Sequence, residues 1–159
     1  MFNNEEINRQ YRKINVLITV IKTLEPEDEM KSHLTKYVCV LCSGFIENSV
    51  YYVFSDIAEK GINNCVALTY AKSQLFKIQN ANSEKIRALA KSFNANWGEP
   101  LTTFMSLNER SAAINYILKD RHNIAHGRNS DITIDRLEER LLKFTEVLLY
   151  IENTLDTIE

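Results

Sequence analysis

The chain has 159 residues, of which 45% are hydrophobic and 25% charged, and its formal net charge is −2. This length suits one domain with its own hydrophobic core, and the composition is that of an ordinary globular protein. The near-neutral charge excludes a chain-wide basic field, although a local basic site remains compatible with it. With only four Gly and two Pro, the chain has too few turn residues for a β-sandwich or barrel. We therefore predict a single all-α domain over residues 1–159.

Cysteine usage and the first residues favour a cytoplasmic protein. Cys39, Cys42 and Cys65 are odd in number and lack the spacing of a disulfide framework, so reduced thiols are expected. No run of about 18 apolar residues is present, and the mixed-charge start lacks the apolar core of a signal peptide. We expect no membrane span, no metal and no other cofactor, and we interpret the helical Cys39-x-x-Cys42 pair as buried hydrophobes.

Six helices are predicted from the helical spacing of apolar residues and from capping signals. The first ends before Pro26, and the acidic cluster Glu27–Glu29 favours the start of the second. Trp97, Gly98 and Pro100 indicate a loop. The second helix is predicted from the acidic cluster to Lys60, with Gly61 as the stop, and the third over about 62–79. The fourth is predicted from an N-cap at Ser83 to about Asn94, and the fifth from an N-cap at Ser106 to Gly127. The sixth is predicted over about 134–158.

The fifth predicted helix combines an apolar stripe with a polar one. Arg121 lies in the middle of the apolar stripe, where a buried guanidinium needs a partner unless its long stem reaches the rim. His122 and His126 share the polar stripe, and a solvated face is favoured over a zinc site because the chain has only one other His. The apolar stripe consists of Ile114, Ile117, Leu118, Ile124 and Ala125, and the polar stripe of Asn115, Lys119, His122 and His126.

The second predicted helix offers a partner for Arg121. This helix is apolar over most of its circumference, which is typical of a central helix. Glu47 lies within it, and Gly44 nearby permits the close approach of another backbone. We predict that Glu47 hydrogen-bonds Arg121, in its own or in a partner subunit, with a solvent-exposed Glu47 as an equal alternative.

The segment RHNIAHG, residues 121–127, resembles the motif of HEPN-family domains, in which an Arg precedes a His by a few residues and the first intervening residue is polar. Here four residues separate Arg121 from His126, and His122 is the polar follower. Together with SGFIEN at 43–48 and KSFNANWGEP at 91–100, the chain from about residue 30 onward is similar to the RiboL-PSP branch of that family. The resemblance implies a HEPN-like bundle of five to six helices.

The resemblance also implies a metal-independent endoribonuclease, often a homodimer with two motifs facing one cleft. Such proteins act as toxins or effectors in bacterial toxin–antitoxin or anti-phage defence systems, so an antitoxin or defence partner is possible. Arg128 stands where HEPN toxins paired with nucleotidyltransferase antitoxins tend to have Tyr, which argues against that pairing. By motif match the catalytic residues would be Arg121 and His126, with His122, Asn123 and Glu47 in support and Lys119 and Arg128 on the RNA backbone.

In the expected chemistry, the RNA 2′-hydroxyl attacks the adjacent phosphate and leaves a 2′,3′-cyclic phosphate and a 5′-hydroxyl. His126 suits the proton transfer and Arg121 the phosphate. The two side chains lie about 140° apart on an ideal helix, so we predict a C2 homodimer that completes the site. A non-catalytic interaction or dimerisation domain and a nucleotide-binding helical module remain as alternatives.

Overall fold

The computed structural model describes residues 1–27 and 29–155, and within these ranges the chain is helical and contains no strand. The all-α prediction is confirmed. Asp28 of the predicted acidic cluster, and residues 156–159 at the predicted end of the last helix, lie outside the described residues. The α-helices are α1 (Glu5–Lys22), α2 (Glu29–Gly61), α3 (Cys65–Leu75), α4 (Ser83–Phe93), α5 (Gly98–Ser106), α6 (Arg110–Ala125) and α7 (Ile134–Asn153), and short 3-10 helices at Ala95–Trp97 and Leu107–Glu109 flank α5.

Helix α2 is the central helix of the described chain, and four other helices pack against it. At about 1.5 Å per residue its 33 residues extend roughly 50 Å, and α1, α3, α6 and α7 all contact it. Phe45 is fully buried at its middle, with the rings of Tyr11 and Phe144 each 5.8 Å away between centroids. Burial in this helix raises the pKa of the Cys39 thiol to about 12 and also raises that of Cys42. These cysteines are therefore unreactive core residues, as predicted.

The same helix is long and apolar enough to cross a membrane by length and composition alone. However, 61% of its most apolar window is buried inside the bundle. An α-helix that is apolar all round and covered by its neighbours is typical of the core of a soluble helical protein. The helices packed around α2 thus cover most of its apolar circumference.

Helix α4 begins at Ser83, but its N-cap is Asn82 and the predicted cap at Ser83 is wrong by one position. The Oδ1 atom of Asn82 accepts a hydrogen bond from the Lys85 N–H at 2.9 Å. Ser83 occupies the first helical position instead and contacts Asn115 of α6. Its N–H donates to Asn115 Oδ1 at 3.0 Å, and Asn115 Nδ2 donates to Ser83 Oγ at 3.0 Å. This pair of hydrogen bonds joins α4 to α6.

The segment predicted as a loop around Gly98 and Pro100 is helix α5. Pro100 lies in the first turn, where its missing N–H would have had no acceptor within the helix. Ser106, predicted as the next N-cap, is the last residue of α5 and makes no side-chain cap. Asn108 and Glu109 have φ values of +53° and +58°, so a left-handed kink joins α5 to α6 in place of the predicted capping box.

Candidate functional site

The C-terminal end of α6 is closed by a Schellman motif. The Arg128 N–H donates to the Asn123 carbonyl at 2.9 Å, and the Gly127 N–H donates to the Ile124 carbonyl at 3.1 Å. Gly127 has φ +64°, a conformation that glycine adopts without the strain that a Cβ imposes. The RHNIAHG segment therefore ends a helix, and His126 is the C-cap residue.

Gly127→Ala is expected to lower the free energy of unfolding by about 1–2 kcal/mol, because an L-residue is strained in the left-handed region. The strain is purely conformational, since no atom lies within 4 Å of the place where the Cβ would stand. Gly61→Ala is the matched control, because Gly61 has equally open surroundings and no positive φ. Urea unfolding of both variants measures the difference. An equal effect of the two substitutions would show that the left-handed cap contributes nothing.

His122 and His126 contact each other on the exposed side of α6. Their ring centroids are 4.4 Å apart and the ring planes are inclined by 57°. Both side chains are exposed, so solvent or a ligand reaches them directly. Within residues 1–27 and 29–155, no group of three or more His, Cys, Asp and Glu side chains is placed to hold a metal ion. Imidazole side chains that are exposed in this way are suited to proton transfer or to hydrogen bonding.

Arg121 follows the packed part of the apolar stripe. Ile114, Ile117 and Leu118 are buried, whereas Arg121 and Ile124 are half-buried. Ala125, also predicted in this stripe, is exposed. The Arg121 guanidinium has no ion-pair or hydrogen-bond partner among the residues that the structure describes. Its charge is therefore available to a ligand or to a second subunit.

Glu47 does not contact Arg121 within one chain. Its carboxylate accepts a hydrogen bond from the backbone N–H of Asn80 at 2.6 Å and so holds the turn that leads into α4. The physical reason is position along the bundle. Helix α2 meets α6 where the Cys39 thiol lies 3.8 Å from the Ile117 carbonyl, and Glu47 is eight residues, or about 12 Å, further along α2. A contact between Glu47 and Arg121 across subunits stays a prediction.

Asp120, which the sequence did not single out, anchors the segment that follows the motif. Its carboxylate accepts hydrogen bonds from Arg140 Nη1 of α7 at 2.7 Å and from Ser130 Oγ at 3.3 Å. The Asp120 and Arg140 side chains are only 19% and 21% exposed, and the Arg140 guanidinium also lies 4.6 Å from the centroid of the Tyr116 ring. The end of α6, the following loop and α7 are therefore fixed to one another beside Arg121.

Two open clefts flank the polar face of α6. The first lies between α4 and α6, has a volume of about 520 Å³, and includes Asn115, Lys119 and His122 in its lining. The three residues thus share one face, as the predicted polar stripe required. The second cleft, of about 280 Å³, lies between α6 and α7 and includes Lys119 and Asn123. Arg121, His126 and the exposed Arg128 line neither of these two clefts.

Comparison with known proteins identifies the family. The family model described as RiboL-PSP-HEPN matches residues 4–157, which is nearly the whole chain. The chain belongs to the RiboL-PSP-HEPN family. The resemblance carried by RHNIAHG is thereby confirmed, and HEPN membership supports a role with RNA or nucleotides. None of the curated proteins and none of the solved structures compared with the chain matches it.

Proposed function

We propose that this HEPN-family protein is an endoribonuclease that cleaves single-stranded RNA without a metal ion. The proposal rests on the two motif side chains at the end of α6, which are both without a hydrogen-bond or ion-pair partner among the described residues. Neither Arg121 nor His126 is engaged by its side chain in a hydrogen bond or ion pair with any described part of the chain, although a rigid cap and the Asp120 anchor hold the backbone around them. Such fixed but unengaged groups are suited to a substrate.

In the proposed reaction, the 2′-hydroxyl oxygen attacks the adjacent phosphorus atom, and the bond from phosphorus to the 5′-oxygen of the next nucleotide breaks. The 2′-hydroxyl gives up its proton to a base, and the departing 5′-oxygen receives a proton from an acid. His126 serves one of these transfers, and His122, in contact with it, orients the ribose or the phosphate together with Asn123. Arg121 balances the negative charge that develops on the phosphate oxygens.

We propose that a C2 homodimer completes the site. Arg121 and His126 are about 140° apart around α6, so a substrate that touches both is better accommodated in a cleft shared by two copies. Tyr37 and Val40 support this arrangement. They are 55% and 39% exposed apolar side chains on α2, the helix that packs against α6. An isologous interface over α2 and the end of α6 would cover both of them.

We further propose that the protein acts in the cytoplasm as a toxin or effector of a bacterial toxin–antitoxin or anti-phage defence system. The support is the family match over residues 4–157 together with the intact Arg121–His126 motif. An antitoxin or defence protein is then the expected partner. Arg128 at the position where Tyr is usual in nucleotidyltransferase-paired toxins argues for a different kind of antitoxin.

The wild-type protein, incubated with mixed single-stranded RNA and a chelator, is expected to produce fragments with 2′,3′-cyclic phosphate and 5′-hydroxyl ends. Single-stranded DNA of the same sequence should stay intact because it lacks the attacking 2′-hydroxyl. End-group analysis of the products measures both outcomes. Cleavage that requires added Mg²⁺, or equal cleavage of the DNA, would contradict the proposed mechanism. Nucleotide binding without any RNA cleavage would favour the nucleotide-binding alternative.

A further inference from the structure

The cleft between α4 and α6 contains two cationic side chains, Arg87 and Lys119, that form no ion pair with a described residue. Arg87 of α4 and Lys119 and His122 of α6 line it, and none of the three forms an ion pair or hydrogen bond with another described side chain. Glu84 is the acidic member of the lining, and it is exposed and unpaired. Elsewhere in the described chain, Lys22, Lys72, Arg110, Arg140 and Lys143 all pair with carboxylates. The cleft therefore offers unpaired positive charge on its lining, as Arg121 does at the end of α6.

The walls of this cleft are fixed in relation to each other. The two hydrogen bonds between Ser83 and Asn115 join the start of α4 to the middle of α6, and Glu47 holds the preceding turn through the Asn80 N–H. Asn82 uses its Oδ1 atom as a helix cap, and its side-chain N–H groups donate no hydrogen bond to a described residue. The lining therefore offers free amide donors beside the cations, which is the set of groups that a phosphate together with a base or ribose edge requires.

We propose that this cleft holds the RNA nucleotide next to the cleaved phosphodiester, with its phosphate on Arg87 and Lys119. The proposal rests on the nuclease function proposed above and adds the path of the strand. His122 belongs to the lining and contacts His126, so a strand that leaves the cleft passes over both imidazoles. Lys119 also lines the cleft between α6 and α7, so the strand continues in that direction. The volume of about 520 Å³ lies within the range of small-ligand sites.

The test measures binding of a fluorescein-labelled single-stranded RNA to protein that carries His126→Ala, so that the probe stays uncut. Adding Arg87→Ala or Lys119→Ala is expected to raise Kd roughly five- to tenfold at low salt. Each should also reduce the slope of log Kd against log salt concentration by about 0.7, the value for one lost phosphate contact on a single strand. Arg12→Ala and Lys13→Ala are the matched controls, because they remove the same charges from exposed positions of α1, and their Kd should stay within about twofold.

Glu84→Gln is a variant that is expected to change Kd in the opposite direction. Removing this carboxylate from the cleft should lower Kd, a gain that impaired folding cannot produce. Unchanged Kd values for Arg87→Ala and Glu84→Gln would overturn the inference, and if wild-type protein still cleaves RNA, the nuclease proposal survives. Charge-dependent binding without any wild-type cleavage would support the cleft and overturn the nuclease. Failure of the His126→Ala protein to bind RNA at all, together with no RNA cleavage by the wild-type protein, would overturn both.

Discussion

Replacing His126 with Ala is expected to lower the rate of RNA cleavage by about 10²- to 10⁴-fold, the usual contribution of one positioned acid or base. The free energy of unfolding should change little. The imidazole is exposed, and the hydrogen bonds that close α6 use the His126 backbone and not its ring. Initial rates on labelled single-stranded RNA and urea unfolding of the same preparation measure the two quantities.

His33→Ala is the matched control for this substitution. His33 is the third histidine of the chain, is also exposed, and lies in the first turns of α2. Its removal should leave the cleavage rate at the wild-type value. If His126→Ala and His33→Ala cleave equally fast, His126 takes no part in the proton transfers. The proposed mechanism would then be wrong.

Arg121→Ala is expected to lower the cleavage rate by about 10²- to 10³-fold, the cost of removing one preorganised stabiliser of transition-state charge. Arg121→Lys should restore only part of the rate, because an ammonium lacks the planar fork that matches a phosphate. Stability should be close to that of wild type. The guanidinium has no partner among the described residues, so its removal leaves no opposite charge unpaired within the chain.

Arg140→Ala is the comparison variant, because it removes a guanidinium that does have a carboxylate partner. Arg140 pairs with Asp120 at 2.7 Å, and both side chains are largely covered. Its removal leaves a partly buried carboxylate without its partner, at a cost of about 1–3 kcal/mol of unfolding free energy. Arg121→Ala should therefore be the more stable variant and the less active one. A larger stability loss in Arg121→Ala than in Arg140→Ala would mean that Arg121 is primarily a structural residue.

The helical part of the fold could be predicted because apolar spacing reports directly which face of a helix is buried. In α1, for example, Ile7, Ile14 and Ile21 recur at helical spacing, and all three are buried. Helix α5 was missed because Gly98 and Pro100 are breakers in a helix interior. Both lie in the first turn of α5 and not in its interior. At that position the missing N–H of Pro100 breaks no hydrogen bond within the helix. The kink at Asn108 could not be predicted from the Ser106–Glu109 pattern, which also matches a capping box.

The motif was visible in the sequence because its residues are contiguous, and Gly127 indicated the helix end. The surroundings of the motif were not visible. Asp120 meets Arg140 across 20 residues, and Arg87 reaches the site only because α4 docks on α6. A helical wheel gives directions around one axis and no distances between helices. The same limitation led to the pairing of Glu47 with Arg121, whereas the Glu47 carboxylate accepts its hydrogen bond from the Asn80 N–H.

The tie between Asp120 and Arg140 also bears on when the site is assembled during protein synthesis. It connects residues within one helical hairpin, α6 and α7, so it belongs to the short-range contacts that form early in folding. Translation nevertheless delivers residues in order, and the motif leaves the ribosome before Arg140 does. A nascent chain therefore carries the motif before the segment after Gly127 is anchored. Synthesis of α7 is therefore the step at which a single chain first holds the segment after the motif in place.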